Sequence, residues 1–465
     1  MPALLIVLVF WCAAPSAAAV PETLPGAVLQ ALMTAKIPAQ AVAVVARPID
    51  GDKAGVRHRG EAALNPASLM KLVTTTAGLE LLGPAYTWRT EALAEAMPDG
   101  NGVLAGDLYL RGSGDPKLTY DRLWLLLREL RGRGVREIRG DLVIDRGAFA
   151  PTDHDPAAFD GKLQRPYNVG PDALLFNFAT LHLTLVPEAN GVRVLAEPLP
   201  AGFDVVNRLQ ANDKAGCGDW RERLDAQLTP TRLTLSGSFP RSCGEKRWHL
   251  AGLPNAALLH GVFARLWREL GGEFAGQWKE RAAPPGAIPL AASESPALGE
   301  LVRDINKYSN NVMARQLFLK LGAGETAQAD QNIRAWLARK GLDFPELVLD
   351  NGSGLSRRER ISAEHLVELL AAAWASPIMP ELMASLPIVA LDGTAKKRYN
   401  GVSYAGQAHL KTGSLEGVRG IAGYLLDQRG KRHIVVFIVN HPNAAQAQPA
   451  FDALLDGLWR GEPAR

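Results

Sequence analysis

A serine and a lysine stand three residues apart in Asn65-Pro66-Ala67-Ser68-Leu69-Met70-Lys71. Asn65 and Pro66 are helix-start residues, so Ser68 is expected in a first helical turn. Main-chain N–H groups there lack helical partners, and the dipole end is positive. One turn on, Lys71 comes back over the same face. A lysine buried beside other cations gives up its proton more readily and can act as a general base. The pair thus reads as a nucleophile with its base. Taken alone, the pattern is cheap and reads better as a chance serine beside a lysine whose stem lies along an apolar face.

Two further fragments add weight. Lys411-Thr412-Gly413-Ser414 falls inside a strand-like run near the end of the chain. Glycine there leaves room for another backbone, as addition of a peptide strand requires, and Lys411 supplies a positive charge for a carboxylate. The plain alternative is a turn at a strand exit. Between the two motifs lies Lys307-Tyr308-Ser309-Asn310-Asn311, a polar break between two helical stretches. Residues of this kind at a helix junction are ordinarily caps.

Ser-x-x-Lys, Ser-x-Asn and Lys-Thr-Gly in this order form the motif set of penicillin-binding proteins and serine β-lactamases. The chain resembles that superfamily, and within it the D-alanyl-D-alanine carboxypeptidase/endopeptidases of penicillin-binding protein 4 type (DacB-like, peptidase family S13). The segments "NPASLMKLVTT", "GDLYLRGSGDPKLT", "YSNNVMARQL", "DNGSGLSRRERIS", "LDGT" and "LKTGSLEGVRGIAGYL" carry the resemblance over nearly the whole chain. Asn310 stands where the family commonly has aspartate.

The resemblance implies that Ser68 attacks the carbonyl of the penultimate D-alanine and becomes the acyl-enzyme. Lys71 would take its proton, and Ser309 would relay a proton to the leaving amine under the influence of Lys411. Asn311 would position Lys71 and the substrate amide. Thr412 and Ser414 would meet the terminal carboxylate beside Gly413. The N–H groups of Ser68 and Ser414 would form the oxyanion hole. β-Lactams would acylate Ser68 as substrate mimics. No metal or other cofactor is implied, and the nine histidines show no H-x-x-x-H or H-E-x-x-H spacing. The family presents an acidic residue from the insert towards the active site, and Asp145 is the candidate here to hold an amino group of the stem peptide. It reads equally as a strand-end turn residue.

Two competing readings stay open, and a third is disfavoured. Tyr308-Ser309-Asn310 is also a Tyr-x-Asn set, as in class C β-lactamases and some esterases of this superfamily. A peptidoglycan-binding protein without activity could keep the same fold, although Ser68 and both lysines are intact. A Ser-His-Asp hydrolase lacks its G-x-S-x-G.

These motifs need a scaffold. The implied fold class is α/β: a serine β-lactamase/DD-transpeptidase-like domain, an antiparallel sheet flanked by helices, with a large insert forming two smaller domains. The expected division is 20–88 with 288–465 for the catalytic part, 89–172 with 254–287 for an inserted α/β part, and 173–253 for a nested β-rich part. Locally, Leu24 to Lys36 reads as a helix and Ala41 to Ala46 as a strand. Asp107 to Asp145 reads strand, helix, strand, with Thr119 as helix cap. The glycines of "RGSGDP" precede no Gly-Lys-Ser/Thr and so make a turn, not a phosphate loop. Alternation on both sides of Asn190-Gly191 predicts a hairpin. A proline-rich linker spans Ala282 to Pro289, helices follow to about residue 387, and a strand meander precedes a last amphipathic helix near Pro449.

Composition agrees with a folded multidomain protein. The chain has 465 residues, 47% hydrophobic and 21% charged, enough for two or three domains. Lys and Arg number 51 against 48 Asp and Glu, a balance that gives no electrostatic case for nucleic acid. The apolar run Leu4 to Ala14 followed by small residues reads as a secretory signal, 1–19, cleaved after Ala19, although it lacks an early Lys or Arg. No later segment is long and apolar enough for a membrane span. Export would make the enzyme periplasmic, acting on peptidoglycan peptides ending in D-Ala-D-Ala. It would also make Cys217 and Cys243 a disulfide.

Overall fold

The computed structural model describes residues 24–51, 55–151, 153–399 and 401–461. The signal-peptide reading lies outside these residues. Among them, no helix is long and apolar enough to cross a membrane.

Two distant parts of the chain build one five-stranded sheet. Its order is Ala408–Leu415, Val418–Leu426, Arg432–Asn440, Val42–Pro48, Val56–His58, and every pairing is antiparallel. The first long strand therefore lies inside the sheet, with Val42 opposite Val439 and Pro48 opposite His433. Successive side chains leave a strand on opposite faces. Val42, Val44 and Ala46 join Val435, Phe437 and Val439 in a core closed by helices Gly26–Thr34 and Gln448–Arg460. Ala43 and Val45 join Ile434, Val436 and Ile438 in a second core. Helices Met70–Leu82 and Ala363–Trp374 close that face. Covered on both faces, these strands read in sequence as unbroken apolar runs. This is the expected α/β arrangement of an antiparallel sheet flanked by helices.

The intervening segment forms its own sheets. One has five strands in the order Trp278–Glu280, Leu142–Asp145, Leu108–Arg111, Arg89–Ala94, Ile288–Glu294. Leu108–Arg111 and Leu142–Asp145 run parallel, joined through helix Tyr120–Gly132, as a crossover connection requires. Thr119 does precede this helix but makes no side-chain capping bond. Ile288–Glu294 pairs with Arg89–Ala94, so the sheet runs past the expected boundary after residue 287. A proline at its second position, with a bulge beside it, is tolerated because this is an edge strand.

Farther along, Thr180–Glu188 and Gly191–Glu197 form the hairpin about Asn190, with Lys246–Ala251 on the other side. A second three-stranded sheet pairs Arg232–Pro240 antiparallel to Leu224–Thr229 and parallel to Asp204–Asn212. That parallel neighbour had no signal in the sequence. Cys217 and Cys243 are joined by a disulfide, their Cα atoms 4.7 Å apart.

Candidate active site

Ser68 is set by a turn tighter than expected. Asn65 Oδ1 accepts the Ala67 N–H at 2.9 Å, and Asn65 Nδ2 donates to the Ser356 carbonyl at 2.8 Å. Ala67 takes a left-handed φ of 47°, and Ala67–Leu69 is a 3-10 turn before the α-helix begins at Met70. The half-buried Ser68 hydroxyl thus sits at the junction of the two helix types.

Lys71, one turn on, is wholly buried. Its Nζ donates to Ser68 Oγ at 2.9 Å, to Asn311 Oδ1 at 2.6 Å and to the Ser353 carbonyl. All three acceptors are neutral. Burial pushes the ammonium well below its ordinary pKa, and the positive charges of Lys411 and Arg315 push in the same direction, while Glu359 opposes them. Lys71 is therefore held where a lysine sheds its proton easily.

Ser309 and Asn311 come from the polar helix junction. Helix Leu298–Lys307 ends, Ser309 turns through a left-handed φ of 57°, and helix Asn311–Leu321 begins. Asn310 caps the second helix, its side chain accepting the Met313 N–H at 3.1 Å. The capping reading of this fragment holds for Asn310, while Ser309 and Asn311 face the lysines. The turn at Ser309 also removes the difficulty that residues two apart on a helix face opposite ways. Ser309 Oγ accepts from Lys411 Nζ at 2.9 Å while Asn311 reaches Lys71. Tyr308 is 62% exposed, and the Asn310 side chain is committed to its cap, which counts against the Tyr-x-Asn frame.

Lys411 is also wholly buried, and burial, helped by the charge of Arg398, pushes its pKa down to about 7. Its strand is the sheet edge. That edge is covered where Leu410 N–H donates to the Pro387 carbonyl. N–H groups alternate between edges along an antiparallel strand, so those of Thr412 and Ser414 face the same outer side as that of Leu410, beyond the stretch that Pro387 covers. At Gly413 a side chain would bring Cβ to 2.8 Å from the Pro66 carbonyl. The strand therefore lies directly against the turn that carries Ser68. Thr412 Oγ1 shares a hydrogen bond with Thr394 Oγ1 at 2.7 Å, and Arg398 donates to Ser414 Oγ at 3.1 Å.

The segment Asn351 to Glu359 closes the cluster and was not assigned a role from sequence. Ser353 supplies the carbonyl on Lys71. Gly354, at φ 79°, lies so close to Ala67 and Ser68 that any Cβ would strike the Ala67 carbonyl. Glu359 is wholly buried, and its Oε1 accepts the N–H groups of Asp350, Asn351 and Gly352 at 3.3, 3.1 and 2.9 Å. Arg398 and Glu359 were missed. "DNGSGLSRRERIS" contained the signal for Glu359 only as part of a longer resemblance.

Asp145 stands apart from this cluster. It is buried, with Oδ1 accepting the Gly147 N–H and Oδ2 the Ala283 N–H, both at 2.9 Å. Both carboxylate oxygens thus tie main chain together, which is the strand-end role and not the amine-binding one.

Comparison with known proteins gives a consistent picture. A family model described as D-Ala-D-Ala carboxypeptidase 3 (S13) family matches residues 26–460. A D-alanyl-D-alanine carboxypeptidase of Actinomadura sp. (strain R39) is 29% identical over 435 residues, covering 87% of this chain and 78% of its own. The D-alanyl-D-alanine carboxypeptidase DacB of Haemophilus influenzae is 26% identical over 422 residues, covering 88% and 87%. The crystal structure of penicillin binding protein 4 from the same organism superposes with a TM-score of 0.76 at 24% identity, over 93% of this chain and 99% of that one.

Proposed function

This chain belongs to the D-Ala-D-Ala carboxypeptidase 3 (S13) family, and from that premise we propose a serine D-Ala-D-Ala carboxypeptidase/endopeptidase that cuts peptidoglycan stem peptides through an acyl-enzyme on Ser68. The observation that carries the proposal is Lys71: a wholly buried amine that touches Ser68 Oγ and has only neutral acceptors.

The substrate peptide lies along the uncovered edge of the Ala408–Leu415 strand. Neutral Lys71 takes the Ser68 proton as Oγ bonds to the penultimate D-alanine carbonyl carbon. The N–H groups of Ser68 and Ser414 hold the oxyanion, a contribution of about 3 kcal/mol for one such donor. Ser309 passes its proton to the departing nitrogen and is reprotonated from the lysine side, with Lys411 keeping its hydroxyl oriented. The C–N bond breaks and D-alanine leaves. Water then attacks the ester, and Ser68 Oγ regains a proton. Thr412, Ser414 and Arg398 hold the terminal carboxylate. A β-lactam follows the first half of this path, and a Haemophilus influenzae relative is described in complex with one.

The proposal includes export to the periplasm by cleavage after Ala19, which N-terminal sequencing of the mature protein checks. It also retains the three-part division of the chain, with the return to the catalytic part placed after Glu294 because Ile288–Glu294 pairs inside the inserted sheet. Labelling with a fluorescent penicillin and mapping the modified peptide tests the chemistry. The label is expected on Ser68, and a label on any other serine rejects the assignment.

A further inference from the structure

One cavity adjoining the catalytic residues is not used by this mechanism. It has a volume of about 700 Å3, and Ser309 and Asn311 form part of its wall. The opposite wall comes from the inserted segment and includes Arg165, Tyr167, Arg221 and Trp248. The two walls are tied where Asn311 Nδ2 donates to the Tyr167 carbonyl at 3.4 Å.

Its charge is one-sided. Lys117 on the wall is paired with Asp304 at 2.5 Å. Neither Arg165 nor Arg221 forms an ion pair among the described residues. Arg221 lies over the Trp220 ring, 5.0 Å from its centroid, so a ring face holds it and leaves its N–H groups available. Trp248 stands edge-on to Trp220 at 6.1 Å. Tyr308, exposed and unused in the chemistry, lines the same space. Two guanidinium forks without carboxylates, set among aromatic rings, suit an extended ligand with carboxylate groups and flat faces that pack on the rings.

We propose that this cavity is a second substrate subsite, taking the carboxylates of a peptidoglycan stem peptide away from the scissile bond. The proposal rests on the peptidoglycan reading given above. It would make the inserted segment a part of the substrate-binding surface. The carboxylates can come from the strand being cut or from the strand cross-linked to it.

The test uses the full-length protein and the double variant Arg165→Gln/Arg221→Gln. Three rates are measured: penicillin acylation of Ser68, D-alanine release from an uncrosslinked disaccharide pentapeptide, and cleavage of a cross-linked muropeptide dimer. Losing charge-assisted hydrogen bonds should lower kcat/KM on the peptides about tenfold or more. Penicillin acylation should keep its wild-type rate. A loss on both peptides places the carboxylates on the cut strand, and a loss on the dimer alone places them on its partner. The charge reversal Arg221→Glu should deepen the loss. Unchanged kcat/KM on both peptides overturns the subsite, and so does a parallel loss of penicillin acylation, which would mean that the arginines serve the fold. A wild-type protein not acylated at Ser68 overturns the underlying reading, and the subsite with it.

Discussion

Positive charge is handled in opposite ways in the cleft and in the nested β-rich segment. Lys71 and Lys411 are wholly buried among neutral oxygens, and both are pushed towards losing their protons. Arg221 stands exposed on the surface of the nested segment, its guanidinium over the Trp220 ring. The backbone differs as well. The cleft is enclosed by left-handed turns at Ala67, Ser309 and Gly354. Strands Gly191–Glu197 and Leu224–Thr229 alternate between half-buried and exposed residues, and the segment is cross-linked by Cys217 and Cys243. Reactivity in the cleft comes from enforced desolvation, which only a rigid surrounding can maintain.

The sharpest way to break this contrast is at the nucleophile. Ser68→Ala is expected to abolish covalent β-lactam labelling and D-alanine release. Lys71→Ala should slow acylation by orders of magnitude, because groups that act as a unit fail together. Persistent acylation in either variant, followed by mass spectrometry, would mean that the buried cluster is not where the chemistry occurs.

Next in size is the helix junction. Ser309→Ala should cost about a hundredfold in acylation, as is usual for a general acid–base group. Tyr308→Phe should cost little, because the exposed ring stays and only its hydroxyl goes. A larger loss from Tyr308→Phe would replace the serine frame with the tyrosine one.

The third test is pH. Lys411 titrates at about 7 in the fold, against an ordinary 10.5. Acylation should rise as Lys71 loses its proton and decline as pH passes about 7 and Lys411 loses its charge. Lys411→Arg, which keeps its charge, should flatten that alkaline limb. The same shift has a stability consequence of definite sign. Between about 7 and 10.5 the unfolded chain binds the Lys411 proton and the folded chain does not. Stability therefore gains from this group as pH rises through that window. A melting temperature that falls across it once other groups are accounted for would contradict the buried, neutral lysine.

Smallest in its effect on activity is the disulfide. Closing the loop between positions 217 and 243, a separation of 26 residues, is worth about 3.5 kcal/mol on the chain-entropy model. Reduction should lower the thermal stability of the nested segment while penicillin acylation proceeds. Acylation lost together with that stability would erase the distinction between the two regions.

The chemical cluster was legible because each motif is a short run whose residue types are demanded by the chemistry. Ser68, Lys71, Ser309, Asn311 and Lys411 do meet. The rest was hidden wherever function rests on main chain or on long-range pairing. A carbonyl such as that of Ser353 has no side-chain signature. Glu359 looks like any surface carboxylate until its burial is known. The strand Asp204–Asn212 pairs in parallel with Arg232–Pro240, and neither carries a local mark of its partner. Asp145 stayed ambiguous because a strand-end aspartate serves a turn and a ligand equally well on paper.

The placing of Val42–Pro48 inside its sheet, against Arg432–Asn440, fixes when the cleft can be completed. A chain emerging from the ribosome presents Ser68 early and Lys411 near its end. Until the last strands arrive, the first strand lacks its neighbour, and the serine lacks the edge that would hold a peptide beside it. Pairings this distant in sequence also form slowly. A fragment stopped before residue 408 would carry Ser68 and Lys71 but neither Lys411 nor Ser414, so the cleft is completed only when the last strands arrive.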